Sequence, residues 1–391
     1  MNPPAAHPPP PRPKILVRGV NWLGDAIMTT PALLRLRQAL PQAEIVLLTH
    51  IKLAGLWPHH PSINEVLTFS DSDPVFQIAR SLRRQNFETA LLLPNSPRSA
   101  LEAWWAGIPR RIGYAARWRR WLLTDPLAHR PGLVAMHKRS TREVWRLINT
   151  PPATPLPALP ATAHQIHHYL HLTATLGADS HPLAPQIFVA DGEIRAAQRK
   201  FELASDPQWP WIGLNPGAEY GPAKRWPRER FVAAALEIHR RFPCRWVLFG
   251  GDGDTELAAG LASQLEYGLK RLPAEARLGP PRMVLNLAGA TSLRELASVL
   301  CVCRVLLTND TGPMHLAAAV GTPVVVPFGS TSPELTGPGL PGDPRHHLLK
   351  TDAPCAPCFL RRCPIDLRCL RNQSVESVVQ AVLQAAQRTT S

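Results

Sequence analysis

No stretch of this 391-residue chain is apolar for long enough to cross a bilayer. The most apolar one, residues 316–328, is interrupted by Gly321 and Pro323 and falls short of the roughly 20 residues a spanning helix needs. No apolar core follows the proline-rich start, residues 1–13, so a disordered leader is expected there and a secretory signal is not. Cysteine is sparse and odd in number: seven in a chain of this length argue against a disulfide scaffold. These shortages predict a soluble, cytoplasmic protein. Acid is short as well. Lys and Arg number 43 against 29 Asp and Glu, a formal net charge of +14, and residues 1–175 hold 20 of the basic groups but 9 of the acidic ones. Such an excess attracts anions, be they nucleic acid, an anionic membrane face or a phosphorylated substrate. No nucleic-acid recognition module accompanies it. A complete nicotinamide fingerprint is missing too, because after Gly251-x-Gly253 the third glycine's place is taken by Glu256; a nicotinamide-dependent oxidoreductase stays the weaker alternative.

What is present is an alternation. Short apolar runs at residues 15–17, 45–49, 89–93, 211–214, 246–249, 305–308 and 324–327 are separated by longer amphipathic stretches. That pattern predicts an α/β protein with parallel sheets and crossover helices. A proline-dense segment at 149–160 reads as an interdomain connection, and a His-rich helical segment, 163–176, follows it. The expected organisation is a Rossmann-like domain over 14–165, a linker over 166–185, a second Rossmann-like domain over 186–372 and a closing helix within 373–391. The two sheets are expected to face a central cleft.

Two loops in the second half follow apolar runs and open helical patterns: Asn215-Pro-Gly-Ala-Glu-Tyr-Gly-Pro-Ala-Lys224-Arg-Trp226 and Asn309-Asp-Thr-Gly-Pro-Met-His315. Each would lie at the carboxyl end of a strand, where open α/β sheets bind ligands. Lys224 and Arg225 beside Gly217 and Gly221, and Thr311 and Gly312 at a helix start, together suit a diphosphate. Trp226-Pro227 would anchor the first loop. Asp310 would repel phosphate, so a sugar hydroxyl or the local backbone is its expected partner, and His315 is either a ligand contact or a packed histidine. Asp252, Asp254 and Glu256, after the strand at 246–249, are candidates for a ribose diol or plain turn residues.

In the first half, Asn21-Trp-Leu-Gly-Asp25 follows the first strand and precedes a helical pattern over 26–40 that contains Pro31. Asp25 can be a helix cap or a general base, roles that do not exclude one another. Pro31 should kink that helix or mark its true first turn. Pro94-Asn95-Ser96-Pro97-Arg98 ends another strand. Further on, Arg110, Arg111, Arg117, Arg119 and Arg120 are interleaved with Trp104, Trp105, Trp118 and Trp121. This mixture suits a membrane interface, a clamp for an anionic substrate, or a solvated face over core tryptophans. Cys355-x2-Cys358-x4-Cys363-x5-Cys369 is the most metal-like spacing, but it lacks a second C-x2-C pair, so reduced structural thiols are weighed against a structural zinc site.

Pro216 to Pro227, Asn309-Asp-Thr-Gly-x-Met-His315, Leu93-Pro-Asn-Ser96 and Gly24-Asp25 together resemble the bacterial lipopolysaccharide heptosyltransferases of glycosyltransferase family 9, within them the heptosyltransferase II group. The resemblance runs from Lys14 onward. It implies a GT-B fold and inverting transfer of heptose from ADP-L-glycero-D-manno-heptose to the first heptose of the lipopolysaccharide inner core, heptosyl-Kdo2-lipid A. No cofactor or catalytic metal is implied. By this resemblance Asp25 is the general base and Lys224 the diphosphate-binding lysine. Gly217, Ala218, Glu219, Asp252, Asp310, Thr311, Gly312 and His315 surround the donor, and Asn95, Ser96, Arg98, Arg110 and Arg111 are candidates for the acceptor. The implied partners are a nucleotide sugar and an anionic glycolipid, with peripheral contact at the cytoplasmic face of the inner membrane.

Overall fold

The computed structural model describes residues 12–151, 159–273 and 279–388. The leader through residue 11 and most of the proline-dense segment at 149–160 lie outside the described residues. Among those described, twelve strands build two six-stranded sheets. The first contains β1 (Lys14–Arg18), β2 (Glu44–His50), β3 (Glu65–Phe69), β4 (Thr89–Leu92), β5 (Arg110–Tyr114) and β6 (Asp125–Leu127) in the order β3-β2-β1-β4-β5-β6. The second contains β7 (Trp211–Asn215), β8 (Arg245–Leu248), β9 (Val284–Asn286), β10 (Val305–Thr308), β11 (Val324–Pro327) and β12 (His347–Leu349) in the order β12-β11-β10-β7-β8-β9. All pairings are parallel. Counted from its own first strand, each sheet has the doubly wound order 3-2-1-4-5-6, whose strand sequence reverses between the first and fourth strands. The reversal lies between β1 and β4 in one sheet and between β7 and β10 in the other.

The central strands read as near-continuous apolar runs because helices cover both of their faces; all five residues of β7 are buried. In the first sheet Leu16, Val46, Leu48, Ala90 and Leu92 pack with Ile78, Leu82 and Ala103. In the second, Ile212, Leu214, Trp246, Leu248 and Leu307 pack with Phe231, Ile238, Leu261 and Leu265. The closing helix, Val375–Arg388, buries Val378, Val379 and Val382 in that same core.

The chain divides into two compact units that do not follow a single cut near residue 165. One comprises the described residues up to Asn21, Ala32–Pro131 and His168–His181; the other comprises Trp22–Pro31, Gly132–His167 and the chain from Pro182 onward. The segment Trp22–Pro31 groups with the second unit for a steric reason. Its helix, Leu23–Met28, meets the helix Gly312–Ala319 through two glycines. A Cβ on Gly24 would stand 2.6 Å from the His315 ring, and one on Gly312 would stand 2.7 Å from Leu23. The helix read at 26–40 is thus two helices. It breaks at Thr29, whose hydroxyl donates to Ala26 O at 2.6 Å, and Pro31 sits in the first turn of the helix Thr30–Ala39, where its missing N–H costs nothing.

Candidate active site

The loops after β7 and β10 flank the reversal point of the second sheet and are fastened to each other. Asn309 Nδ2 donates to Pro216 O at 2.7 Å, and its Oδ1 accepts from Trp226 N at 2.9 Å. Asn215 Nδ2 donates to Thr308 Oγ1 at 3.0 Å. Trp226 is buried against Phe231 and anchors the first loop as its sequence suggested. Gly221 has φ +147° and Arg361 O lies 2.5 Å from where its Cβ would be, so glycine is required there. Gly217 is required by contact, since the Asp254 carboxylate occupies the side-chain space.

Lys224 ends up inside this frame. Its Nζ lies 2.6 Å from Asp310 Oδ2, and the two side chains retain 14% and 4% of their exposure. Asp310 also accepts from the Thr331 hydroxyl. Asp310 is thus the counterion of Lys224, a partner that the sequence did not show. An ammonium has three donors, so the remaining N–H groups of Lys224 can still face a ligand. Arg225 is tied to Asp254 Oδ1 and Ala218 O, each at 3.3 Å. The helix Gly312–Ala319 opens at Thr311, whose hydroxyl makes no capping bond; Pro313 has no N–H and Met314 N donates to Thr311 O at 3.1 Å, which leaves the Gly312 N–H at the positive end of that helix.

Asp25 belongs to the same unit. It is the third residue of Leu23–Met28, whose capping position is Trp22, so the cap reading is corrected: Asp25 is a first-turn carboxylate favoured by the helix dipole. It is half-buried, and burial pushes its carboxyl up to about 6 while the nearby charge of Lys224 pulls the other way. His315 is buried against Gly24, and burial lowers its imidazole to about 4 despite Asp310, so it is neutral at physiological pH. The second unit thus gathers Asp25, Lys224, Asp310, Thr311, Gly312 and His315. Glu219 and Asp252 are exposed, and Ala218 is buried.

The first-unit candidates fare differently. Ser96 caps the helix Pro97–Trp105 by accepting from Ser99 N. Arg98 is engaged by Glu102 and Asp73 O, Arg110 by Asp125, and Arg111 by Leu122 O. All three guanidiniums have protein partners; Asn95, Ser96 and Arg110 are exposed, and Asn95 Oδ1 accepts from Arg119 Nη1 at 3.3 Å. Two participants were not singled out from sequence, Asn309 and Thr331. The signal for Thr331 was available: a Ser-Thr-Ser run shortly after β11, again at the carboxyl end of a strand.

Cys355, Cys358, Cys363 and Cys369 line one small cavity, and burial raises three of the thiols, Cys369 to about 12. All are free, and among the described residues no group of three or more His, Cys, Asp or Glu is arranged to hold a metal ion.

Residues 153–368 match glycosyltransferase family 9 (heptosyltransferase). The chain is 31% identical over 338 residues to lipopolysaccharide heptosyltransferase 2 of Escherichia coli K12, spanning 83% of this chain and 85% of the relative. The chain belongs to glycosyltransferase family 9. Lipooligosaccharide heptosyltransferase 2 of Haemophilus ducreyi is 30% identical, over 83% of this chain and 86% of that relative. Among solved structures, the E. coli ADP-heptose lps heptosyltransferase II superposes with a TM-score of 0.72 at 26% identity, over 97% of this chain and 100% of that one. A family 9 glycosyltransferase from Veillonella parvula gives 0.73 at 22% identity, over 96% and 97% of the two chains, and speaks for the fold alone. The protein is therefore a glycosyltransferase of the GT-B class, with two parallel six-stranded sheets. The nicotinamide reading of the Gly250–Gly253 loop falls with this assignment. Among the described residues no helix of this family 9 enzyme is long and apolar enough to cross a membrane.

Proposed function

We propose that this family 9 enzyme moves L-glycero-D-manno-heptose from ADP-heptose, with inversion, to the first heptose of the lipopolysaccharide inner core, without a cofactor or metal. The observation that carries the reading is the half-buried Asp25 carboxylate, raised to about 6, within the field of a Lys224 that is itself braced by Asp310. A base with that pKa is mostly ionised at neutral pH yet basic enough to take a hydroxyl proton in the transition state. The acceptor oxygen forms its bond to the anomeric carbon as the carbon–phosphate oxygen bond breaks on the opposite face. The acceptor's proton passes to Asp25, and ADP leaves with the bonding pair. Lys224 and the positive end of Gly312–Ala319, with its Gly312 N–H, meet the charge that grows on the departing diphosphate. Thr311, Gly312 and His315 lie beside the sugar and phosphates, and Gly217, Ala218, Glu219 and Asp252 lie on the nucleotide side. In this reading residues 14–165 serve the acceptor and 186–372 the nucleotide sugar.

The acceptor is an anionic glycolipid, and the first unit is suited to reaching it at the cytoplasmic face of the inner membrane. Phe76, Trp104, Trp105, Trp118 and Trp121 are exposed on the neighbouring helices Val75–Arg83, Pro97–Trp105 and Arg117–Leu122. No acidic residue occurs in 74–87 or 103–124, while Arg80, Arg83, Arg84 and Arg120 do. Amphipathic aromatics among cations favour an anionic interface. Transfer assayed with ADP-heptose and a heptosyl-Kdo2-lipid A acceptor should add one heptose by mass spectrometry, with the opposite anomeric configuration by NMR. Absence of product with that pair, but turnover on a different core acceptor, would move the assignment to another position of the core.

A further inference from the structure

We infer that Thr331 is a positioning residue for the transfer reaction: its hydroxyl fixes the Asp310 carboxylate and so aims the ammonium of Lys224 at the ligand. This rests on Lys224 as the residue that meets the departing diphosphate in the function proposed above. Among the described residues the Asp310 side chain has two donors, and both reach the same oxygen. Lys224 Nζ lies 2.6 Å from Oδ2, and the Thr331 hydroxyl donates to Oδ2. A lysine side chain is a flexible four-carbon stem, so attraction to a carboxylate alone leaves the direction of its ammonium open. Thr331 supplies the missing restraint. Its branched side chain is stiff at χ1 and the residue is 9% exposed, so its hydroxyl marks a fixed point for Oδ2.

The backbone around Thr331 is tied on both sides. Ser330 O accepts from Cys358 N at 3.0 Å and from Phe359 N at 2.7 Å, and Ser332 O accepts from Leu335 N and Thr336 N, each at 3.1 Å. The segment that holds Ser330 also holds the Lys224 loop: Arg361 O accepts from Ala223 N at 3.1 Å, and Phe359 O accepts from the Tyr220 hydroxyl at 2.8 Å. The Tyr220 ring lies 4.9 Å from Lys224 Nζ. Lys224, Asp310 and Thr331, from the loops after β7, β10 and β11, are thus closed into a ring by residues 358–361. The cysteine cavity belongs to this frame. Its wall includes Ala223 and Ser330, the residues before Lys224 and Thr331, beside all four thiols. The cysteine-rich segment, to which the reaction gives no chemical part, is the floor on which the ion pair is set.

A cation helps the leaving group most when its free N–H groups already point where charge will appear. Without the Thr331 hydroxyl Oδ2 is free to turn, and Lys224 turns with it.

Thr331→Val keeps the shape and removes the donor. ADP affinity by calorimetry should fall about 10-fold or more, the scale of a hydrogen bond to a charged group, and Thr331→Ser should recover it to within about threefold of wild type. In Lys224→Ala, which weakens ADP by itself, adding Thr331→Val should change the affinity by less than about twofold, because the hydroxyl acts through the lysine. In transfer assays kcat should drop with the same rescue by serine, while acceptor KM stays within about twofold of wild type. A residue that merely stabilises the fold would weaken ADP in both backgrounds. Equal losses in the two backgrounds, or a serine variant no better than the valine one, overturn the inference. Where Thr331→Val does not fold, Thr331→Ala against Thr331→Ser makes the same comparison. An ADP affinity unmoved by Lys224→Ala refutes the part given to Lys224 and this inference with it. A wild type that binds ADP but transfers no heptose refutes the proposed function alone, and the affinity comparison still decides the role of Thr331.

Discussion

The two sheets share one strand order and one ligand edge, yet they hold charge in opposite ways. In the second unit the buried cation is closed off by a protein anion: Lys224 by Asp310, braced in turn by Thr331. In the first unit Arg119 and Arg130 are more deeply or equally buried and have no such partner among the described residues. A paired cation is held in position before anything binds, which suits a site that must meet charge appearing only as a bond breaks. An unpaired guanidinium, which cannot shed its proton, instead carries the cost of its burial in the folded protein.

If the second unit is the reacting centre, its variants should lose turnover while first-unit variants lose acceptor affinity. The largest effect is expected for Asp25→Asn, with transfer falling by about 10²- to 10⁴-fold while calorimetry finds ADP binding intact. Near-normal turnover would make Asp25 a helix-dipole residue and nothing more. Lys224→Ala should remove roughly 2.7 to 4 kcal/mol of transition-state stabilisation. It should also lower the melting temperature, because Asp310 would be left buried without a counterion; adding Asp310→Asn should restore the melting temperature but not the turnover. If the single variant is as stable as wild type, the pairing that defines the comparison is wrong.

How much of this was legible in the sequence follows from what a sequence can encode locally. The strands announced by apolar runs, such as β1, β4, β7 and β10, and both loops at the second reversal point were readable from residue type and order. β5 was not, because it begins with Arg110 and Arg111, nor was the edge strand β3, in which Phe69 alone is buried. Partners distant along the chain were equally invisible. Lys224 and Asp310 meet only when β7 and β10 pair, and the partners of Arg98, Arg110 and Arg111, which are Glu102, Asp125 and Leu122 O, cannot be read from the order of residues. Arg119 was read with its neighbours as one basic aromatic run; it lies in the 3-10 helix Arg117–Leu122, whose period separates it from them.

Smaller effects sharpen the picture of each unit. Gly24→Ala should destabilise by about 1 to 3 kcal/mol, since its Cβ meets the buried His315, whereas Gly251→Ala, with nothing within 4 Å, should be neutral by thermal denaturation. Equal melting temperatures for the two would deny the close approach that carries Asp25 into the second unit. Replacing Trp118 and Trp121 together by Ser should weaken sedimentation with vesicles of anionic lipid and leave transfer to a detergent-dispersed acceptor nearly unchanged; undiminished sedimentation would remove those side chains from the membrane contact.

The pH dependence of kcat/KM for wild-type transfer reads the proposed base without altering it. Asp25 acts ionised, so the rate should be flat near neutrality and fall about tenfold per pH unit below a break near 6, the value to which burial raises its carboxyl. A break near the ordinary 3.8, or full activity at pH 5, would contradict the assignment of Asp25 as the group that takes the acceptor's proton.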